Sequence, residues 1–387
     1  MEPPSARSRP DQRDGGLPLD ALYEILLRLP AKELCRLRAV CRPWRSLLSD
    51  PQFIAAHAAH HPGPLIVLGY HTVRYHPDHR NEGIICDIMD LSGCVLKRVR
   101  AAVGNEWVMS IQADHVCTAR MISTGKGYCE SYRLLNLANG LVCALPEGLA
   151  EEHVEHEFGS QTSIAFGQVA STGEYKVLRL HDTESNQHSM QLCEVFSLDG
   201  SSNARWRGKK PPPQIVMLDR WKSVVIDGIV YILSYLPDCV ATFDLETEEW
   251  RQNLRGPLSS LWNDDSEVWL NNMNWFQFSM AALSGNLVVV HHTHASSLDL
   301  WFLMDFEKAL WVRQHSIQIS VQPAKYKVSP LLVLEDERII LMYRGGKGLI
   351  RIYDPKTNTL TDMAETGHFV AVGLYTGSLL SLATSAS

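Results

Sequence analysis

"FDLETEEW", residues 243–250, is the stretch whose reading decides the fold. An apolar strand ends at Asp244, a polar turn follows, and Trp250 opens the next apolar segment. A carboxylate at the head of such a turn can accept hydrogen bonds from the turn's own N–H groups, and a large ring behind it can pack between sheets. "MDFEKALW" repeats the frame with Asp305 and Trp311, "YDPKTNTL" with Asp354 and Leu360, and "MDLSGCVL" with Asp90 and Leu96. "SLDGSSNARW" is a looser copy, with Asp199 and Trp206 one residue further apart.

Short β-branched runs surround these copies: "LIVLGY" (65–70), "YKVLRL" (175–180), "VVIDGIVYIL" (224–233), "NLVVVHH" (286–292) and "RIILMY" (338–343). Between runs stand Asn139-Gly140, Asp227-Gly228, Gly285-Asn286 and Gly345-Gly346, pairs that supply the positive φ angles of tight hairpins. All-β modules repeating every ~40–60 residues predict propeller blades, and residues 62–387 have room for about six to eight. The last such run, "HFVAVGLYTGSLLSL", is suited to pair with the first blade and close the ring, which removes a sticky edge.

The N-terminal region has a different period. Residues 1–16 are rich in Pro, Arg, Ser and Gly and predict a disordered tail. In residues 17–56, Leu22, Ile25, Leu26 and Leu29 lie on one helical face, with Asp20 as a cap and Pro30 as a stop. Leu34, Leu37 and Val40 mark a second helix. A third carries Trp44, Leu47 and Leu48, with Pro43 in its first turn and its end at Asp50-Pro51. The fold class predicted is therefore α+β and multidomain: a small three-helix module followed by an all-β propeller. Three helices in about 40 residues sit at the lower limit of independent folding. Their apolar residues exceed one small core, so part of that surface is expected to face another protein.

Lys plus Arg is 36 and Asp plus Glu is 43, a formal charge of −7, which argues against broad binding to a phosphate backbone. No apolar run approaches the ~18 residues needed to cross a bilayer, and the N-terminus has no secretory pattern. The nine cysteines form no C-x-x-C pair and predict reduced, buried thiols. These features point to the cytosol or nucleus, with neither nucleic acid nor membrane as partner.

Residues 17–53 resemble the F-box motif along their length: Leu17-Pro18, Asp20, Leu22, Glu24-Ile25-Leu26, Arg28-Leu29-Pro30, Lys32, Leu34, Arg36, Val40-Cys41, Trp44-Arg45, Leu48, Asp50-Pro51 and Phe53. Pro43 departs from the commoner small or basic residue before the Trp. The remainder is similar to the F-box-associated, kelch-like β region of plant F-box proteins, above all those of grasses. "LLNLANGLVCAL", "IAFGQVASTGEYKVLRL", "CEVFSLDGSSNARWR" and "FDLETEEWR" come in the family's order. The resemblance implies a non-catalytic adaptor of an SCF-type ubiquitin ligase, docked on a Skp-type protein and through it on cullin and RING subunits. It implies Leu17, Pro18, Leu22, Ile25, Leu26, Leu29, Pro30, Leu34, Val40, Cys41 and Trp44 as the Skp-binding residues. The C-terminal region would then present a protein substrate for ubiquitination. Two other readings stand beside it: a Skp-binding protein that directs no degradation, which shares every motif, and a carbohydrate-binding or catalytic propeller.

"SLWNDDSEVWLNNMNWFQFSM" (260–280) is the candidate substrate-recognition element, with Trp262, Trp269, Trp275 and Phe276 set among Asp264, Asp265 and Glu267. Other motifs carry less. The histidine groups His153/His156, His291/His292/His294 and His71/His76/His79 lack metal-ligand spacing, so neither metal nor cofactor is expected. "GGKG" (345–348) and "GKG" (125–127) lack the phosphate-loop pattern and read as hairpin turns. "RWRGKKPPP" (205–213) reads as a solvated linker between blades.

Overall fold

The computed structural model describes residues 19–375 and Leu380, apart from residues 30, 62, 73–82, 102–104, 125–126, 157, 184–189, 199–204, 220–221, 236–238, 258–277, 294–295 and 320–326. They fall into two compact units, 1–62 with 377–387, and 63–376.

Among its described residues the first unit holds four helices: α1 (Leu19–Leu27), α2 (Ala31–Leu37), α3 (Arg42–Leu48) and α4 (Pro51–His60). The fourth corrects the sequence reading, which took Asp50-Pro51 as a stop. Here the pair starts a helix: the Asp50 side chain accepts from the backbone N–H of Gln52 at 2.7 Å and of Phe53 at 3.3 Å, and Pro51 occupies the first turn. Proline fits there because that N–H has no helical acceptor to lose. Pro43 is accommodated in the same way at the start of α3. Asp20 sits within the first turn of α1.

The second unit is a six-bladed propeller built from six antiparallel sheets. Blade 1 joins β1 (Leu65–Gly69), β2 (Ile84–Met89) and β3 (Val95–Arg100) to the last strand of the chain. Blade 2 is β4 (Glu106–Gln112), β5 (His115–Thr124), β6 (Gly127–Asn136) and β7 (Val142–Ala144). Blade 3 is β8 (Phe158–Gln168), β9 (Tyr175–Thr183), β10 (Gln191–Ser197) and β11 (Arg207–Lys209). Blade 4 is β12 (Ser223–Ile226), β13 (Ile229–Leu233), β14 (Cys239–Asp244) and β15 (Glu249–Trp250), with β16 (Leu254–Arg255) also paired to β14. Blade 5 is β17 (Phe278–Leu283), β18 (Asn286–His292), β19 (Ser297–Asp305) and β20 (Leu310–Gln318). Blade 6 is β21 (Lys327–Val333), β22 (Ile339–Arg344), β23 (Leu349–Asp354) and β24 (Thr359–Glu365).

The closing strand expected from "HFVAVGLYTGSLLSL" is β25 (Ala371–Tyr375), which pairs with β1 in the register Leu65↔Tyr375 to Gly69↔Ala371. The ring is thus held by main-chain hydrogen bonds between residues from its two ends. Two glycines let this seam come close to blade 2. A Cβ on Gly69 would lie 2.6 Å from the Val108 side chain, and one on Gly373 would lie 2.5 Å from Ile111.

Four of the five turn frames read from the sequence lie in the described residues, and each of these heads the hairpin into an outer strand. Asp90, Asp244, Asp305 and Asp354 accept backbone N–H bonds from the residues that follow them. The turns reverse through positive φ at Gly93, Glu248, Ala309 and Asn358. Blade 2 uses Asn136 in the same role, with Gly140 at positive φ, a copy the search for aspartate missed. Asp199 lies outside the described residues.

The tryptophans of the frame tie blades together. Trp206 donates its indole N–H to Pro146 O at 2.8 Å, Trp250 to Lys210 O at 2.9 Å and Trp311 to Arg255 O at 2.8 Å. Each acceptor lies just past, or at the end of, the preceding blade's last strands. The apolar core is accordingly a series of clusters between neighbouring blades. Phe166 and Trp206 meet Leu134, Val230 and Phe243 meet Leu178, Met280 meets Val240, Leu341 meets Val288, and Ile66 meets Ile340.

Candidate functional site

In the helical unit, Leu26, Leu27, Leu34, Leu48 and Phe53 form a core closed to solvent. Tyr23 meets Phe53 edge-on at 5.1 Å. Carbonyls at and just past the end of α1 are met from α4 and its end: Leu27 O by His61 Nε2 at 3.0 Å and Leu29 O, in the turn that follows, by His57 Nε2 at 2.9 Å. Burial pushes the His57 imidazole below its usual range, against the raising effect of its bond to Leu29; His61 and His60 push it lower still. Sequence reading offered no role for these histidines, because it placed no helix there.

The residues assigned to Skp binding separate into classes. Leu26 and Leu34 are 1 % and 0 % exposed, inside the unit's own core. Leu22, Leu29 and Trp44 pack half-buried against that core. Ile25, 46 % exposed, and Val40, 64 % exposed, turn apolar side chains to solvent, and Cys41 is exposed beside Val40. Val40 and Cys41 form the turn between α2 and α3, where Cys41 is the N-cap residue but makes no side-chain cap. Leu17, Pro18 and Pro30 lie outside the described residues. Of the described residues in the set, Ile25, Val40 and Cys41 are thus the ones exposed to solvent.

In the propeller, Trp262, Trp269, Trp275 and Phe276 lie outside the described residues. The stretch that contains them runs from just after β16 to Phe278, the first residue of β17. Phe278 lies beside Lys222 and His291. Lys222, just before β12, is 6 % exposed and its ammonium donates to Phe278 O. His291 stacks on the Phe278 ring at 4.7 Å. His292 hydrogen-bonds the backbone of Val328 in blade 6, and Lys327 pairs in register with Arg344. Burial lowers Lys222 to about 8; Asp219 opposes that shift and Lys327 adds to it. Burial, with Lys222, His291 and Lys327 nearby, lowers His292 to about 4. The three inner strands β12, β17 and β21 begin here side by side, so their first residues converge.

Other charged motifs are internal. Glu194, 0 % exposed, receives Arg179 Nε at 2.9 Å, His153 Nδ1 at 3.0 Å and the backbone N–H of Ala150 at 2.7 Å. His181 Nε2 lies 3.5 Å away, and the Arg179 guanidinium stacks over Trp206 at 3.9 Å. Burial alone would raise the Glu194 carboxyl, but His181 and Arg179 hold it down to about 2. His153 therefore belongs to a buried hydrogen-bond network around Glu194. The "RWRGKK" stretch contains β11 as well as a connection: Trp206 is buried, and Arg207, Lys209 and Lys176 converge on Glu248 of the next blade. Cys86, Cys117 and Cys193 are buried as expected, whereas Cys35, Cys41 and Cys94 are exposed. His71 stacks on Trp107 at 5.3 Å; His76, His79 and His294 lie outside the described residues. "GGKG" connects β22 to β23 with positive φ at Gly345, Gly346 and Gly348. Among the described residues, no helix is long and apolar enough to cross a membrane.

Comparison with known proteins adds two family matches. The F-box domain matches residues 16–55, and the F-box associated beta propeller domain matches residues 115–369. The chain is similar to an F-box/kelch-repeat protein of Arabidopsis thaliana, 22 % identical over 382 residues, which covers 89 % of this chain and 92 % of the relative. It is similar to an F-box protein of the same plant, 22 % identical over 391 residues, covering 90 % and 87 %. A further Arabidopsis F-box protein is 48 % identical over 52 residues, 13 % of this chain and 15 % of the relative.

Proposed function

Because the chain belongs to the F-box associated beta propeller family, we propose that it is the substrate-recognition adaptor of an SCF-type ubiquitin ligase. The helical unit docks on a Skp-type protein, and the propeller holds a protein substrate. The chain itself performs no bond chemistry. A conjugating enzyme's ubiquitin thioester and a substrate lysine react because one scaffold tethers both, which raises their effective concentration and fixes their orientation. The cytosol and nucleus are the compartments where such a ligase would work.

One observation carries the docking half: a small helical unit that fills its core with Leu26, Leu34, Leu48 and Phe53 still leaves Ile25 and Val40 in water. Exposed apolar side chains on so small a module are best explained as anchors awaiting a groove. For the substrate half, the gathering of Lys222, Lys327 and Arg344 beside Phe278 favours an acidic segment of the substrate protein.

The test is the double variant Ile25→Asp/Val40→Asp in the full-length chain, titrated with a purified Skp-type protein. Affinity should fall by about 100-fold, close to 2.7 kcal/mol, while unfolding midpoints hold. Binding within threefold of the unaltered chain would remove these residues from the interface and the reading with them.

A further inference from the structure

We infer that the docking module includes Leu380, with Leu380 and Arg38 as positioning residues that hold the turn bearing Val40 and Cys41. The inference rests on the docking role proposed above.

Leu380 is 0 % exposed and belongs to the cluster formed by Leu26, Leu27, Leu34, Leu48 and Phe53. It lies 342 residues beyond Arg38 in sequence, yet its carbonyl accepts a hydrogen bond of 2.6 Å from Arg38 Nη2. The same guanidinium donates through Nε to Leu48 O at 3.2 Å. Leu48 ends α3, so that carbonyl belongs to a helix terminus and has no acceptor role within the helix. Arg38 is itself 8 % exposed. A buried cation is tolerated only while its donors are satisfied, and here backbone carbonyls from two distant parts of the chain satisfy them.

The geometry then reaches the docking residues. Arg38 is in the turn that leads from α2 to Val40, and its own carbonyl accepts from Arg45 Nε at 3.3 Å. The backbone N–H of Val40 bonds Leu37 O, and that of Arg45 bonds Cys41 O. Pulling the Leu380 carbonyl away leaves a buried guanidinium short of an acceptor. Arg38 must then swing toward water, which frees the end of α3 and loosens the turn. The loss of one leucine side chain from so small a core works in the same direction.

Leu380 follows β25, the strand that closes the propeller. A chain interrupted before Leu380 lacks a piece of its docking module even when residues 17–60 are intact.

The experiment compares the full-length chain with three variants: a chain ending after Tyr375, which keeps β25, and Leu380→Asp and Leu380→Met. Amide hydrogen exchange is read at Arg38, Val40 and Arg45, and affinity for a purified Skp-type protein is measured in parallel. The shortened chain and Leu380→Asp should exchange these amides about tenfold faster and bind about tenfold more weakly. Leu380→Met should stay within about twofold, since the thioether fills similar volume. A synthetic peptide of residues 376–387, added in trans to the shortened chain, should restore both readouts. Unchanged exchange in the shortened chain overturns the inference. So does faster exchange with unchanged affinity, which would make the segment filler rather than a positioning element. Should the intact chain ignore the Skp-type protein, the adaptor reading falls, and the exchange measurements alone then support or overturn the role of Leu380 in holding the turn.

Discussion

The helical unit leaves Ile25 and Val40 in solvent, while the propeller takes Glu194, Arg179 and His181 out of it. Size explains the contrast. A unit of four short helices has too little interior to cover every apolar side chain its periodicity supplies. A six-bladed ring has ample interior between sheets, enough to enclose an ion-pair network with its hydrogen bonds satisfied. Both units bury charge, but the small one holds the Arg38 guanidinium on backbone carbonyls alone, whereas the ring holds Arg179 on the Glu194 carboxylate.

The largest expected effect probes the buried charges. Glu194→Ala strips Arg179, His153 and His181 of a shared acceptor and should cost the propeller ~3–5 kcal/mol in urea unfolding. Exchange at helical amides such as Val40 should stay at the level of the unaltered chain. A loss under 1 kcal/mol would mean that the network is hydrated, and altered exchange in the helical unit would erase the contrast between the two.

A smaller effect comes from acid. His292 is neutral in the fold, with its pKa held at about 4 against the ordinary 6.5. Its contribution is complete above pH 6.5. As pH falls below that value the unfolded chain takes up the proton first, so stability declines, by about 2 kcal/mol at pH 5. The Glu194 and Glu248 carboxyls, both held at about 2, start to cost stability only below their ordinary pKa of 4.5. His292→Gln should therefore flatten the propeller's stability profile between pH 6.5 and 4.5; an identical slope in the variant would dismiss His292 as the source. In the helical unit His57 is shifted in the same direction, so acid weakens both units by one mechanism.

The smallest effect tests the ties between blades. Trp311→Phe keeps a ring in place and removes the indole bond to Arg255 O, which should cost about 1 kcal/mol. No measurable change would assign the work to ring packing alone.

Legibility in the sequence followed the range of the interactions. The Asp244, Asp305 and Asp354 turns could be read because a carboxylate, its turn and the following ring lie within a few residues of one another. Asn136 serves the same turn and was missed because the repeat was followed through its carboxylate, whereas a side-chain amide oxygen accepts the same turn N–H bonds. The F-box pattern located Ile25, Leu26, Leu34 and Val40 equally well, but periodicity could not say which of them the unit keeps for itself. Asp50-Pro51 is ambiguous in one dimension, since the same pair ends one helix and caps the next.

By itself the sequence determined what depends on neighbours along the chain: short strands, positive-φ turns, the helical stripe of residues 17–53, and a last strand suited to close a ring. Tertiary structure alone decided the blade number of six, the burial of Leu34 against the exposure of Val40, the four groups around Glu194, and the arrival of Leu380 beside Arg38. Local geometry is fixed by bonds a few residues long, whereas burial is a property of whatever distant segment comes to lie on top.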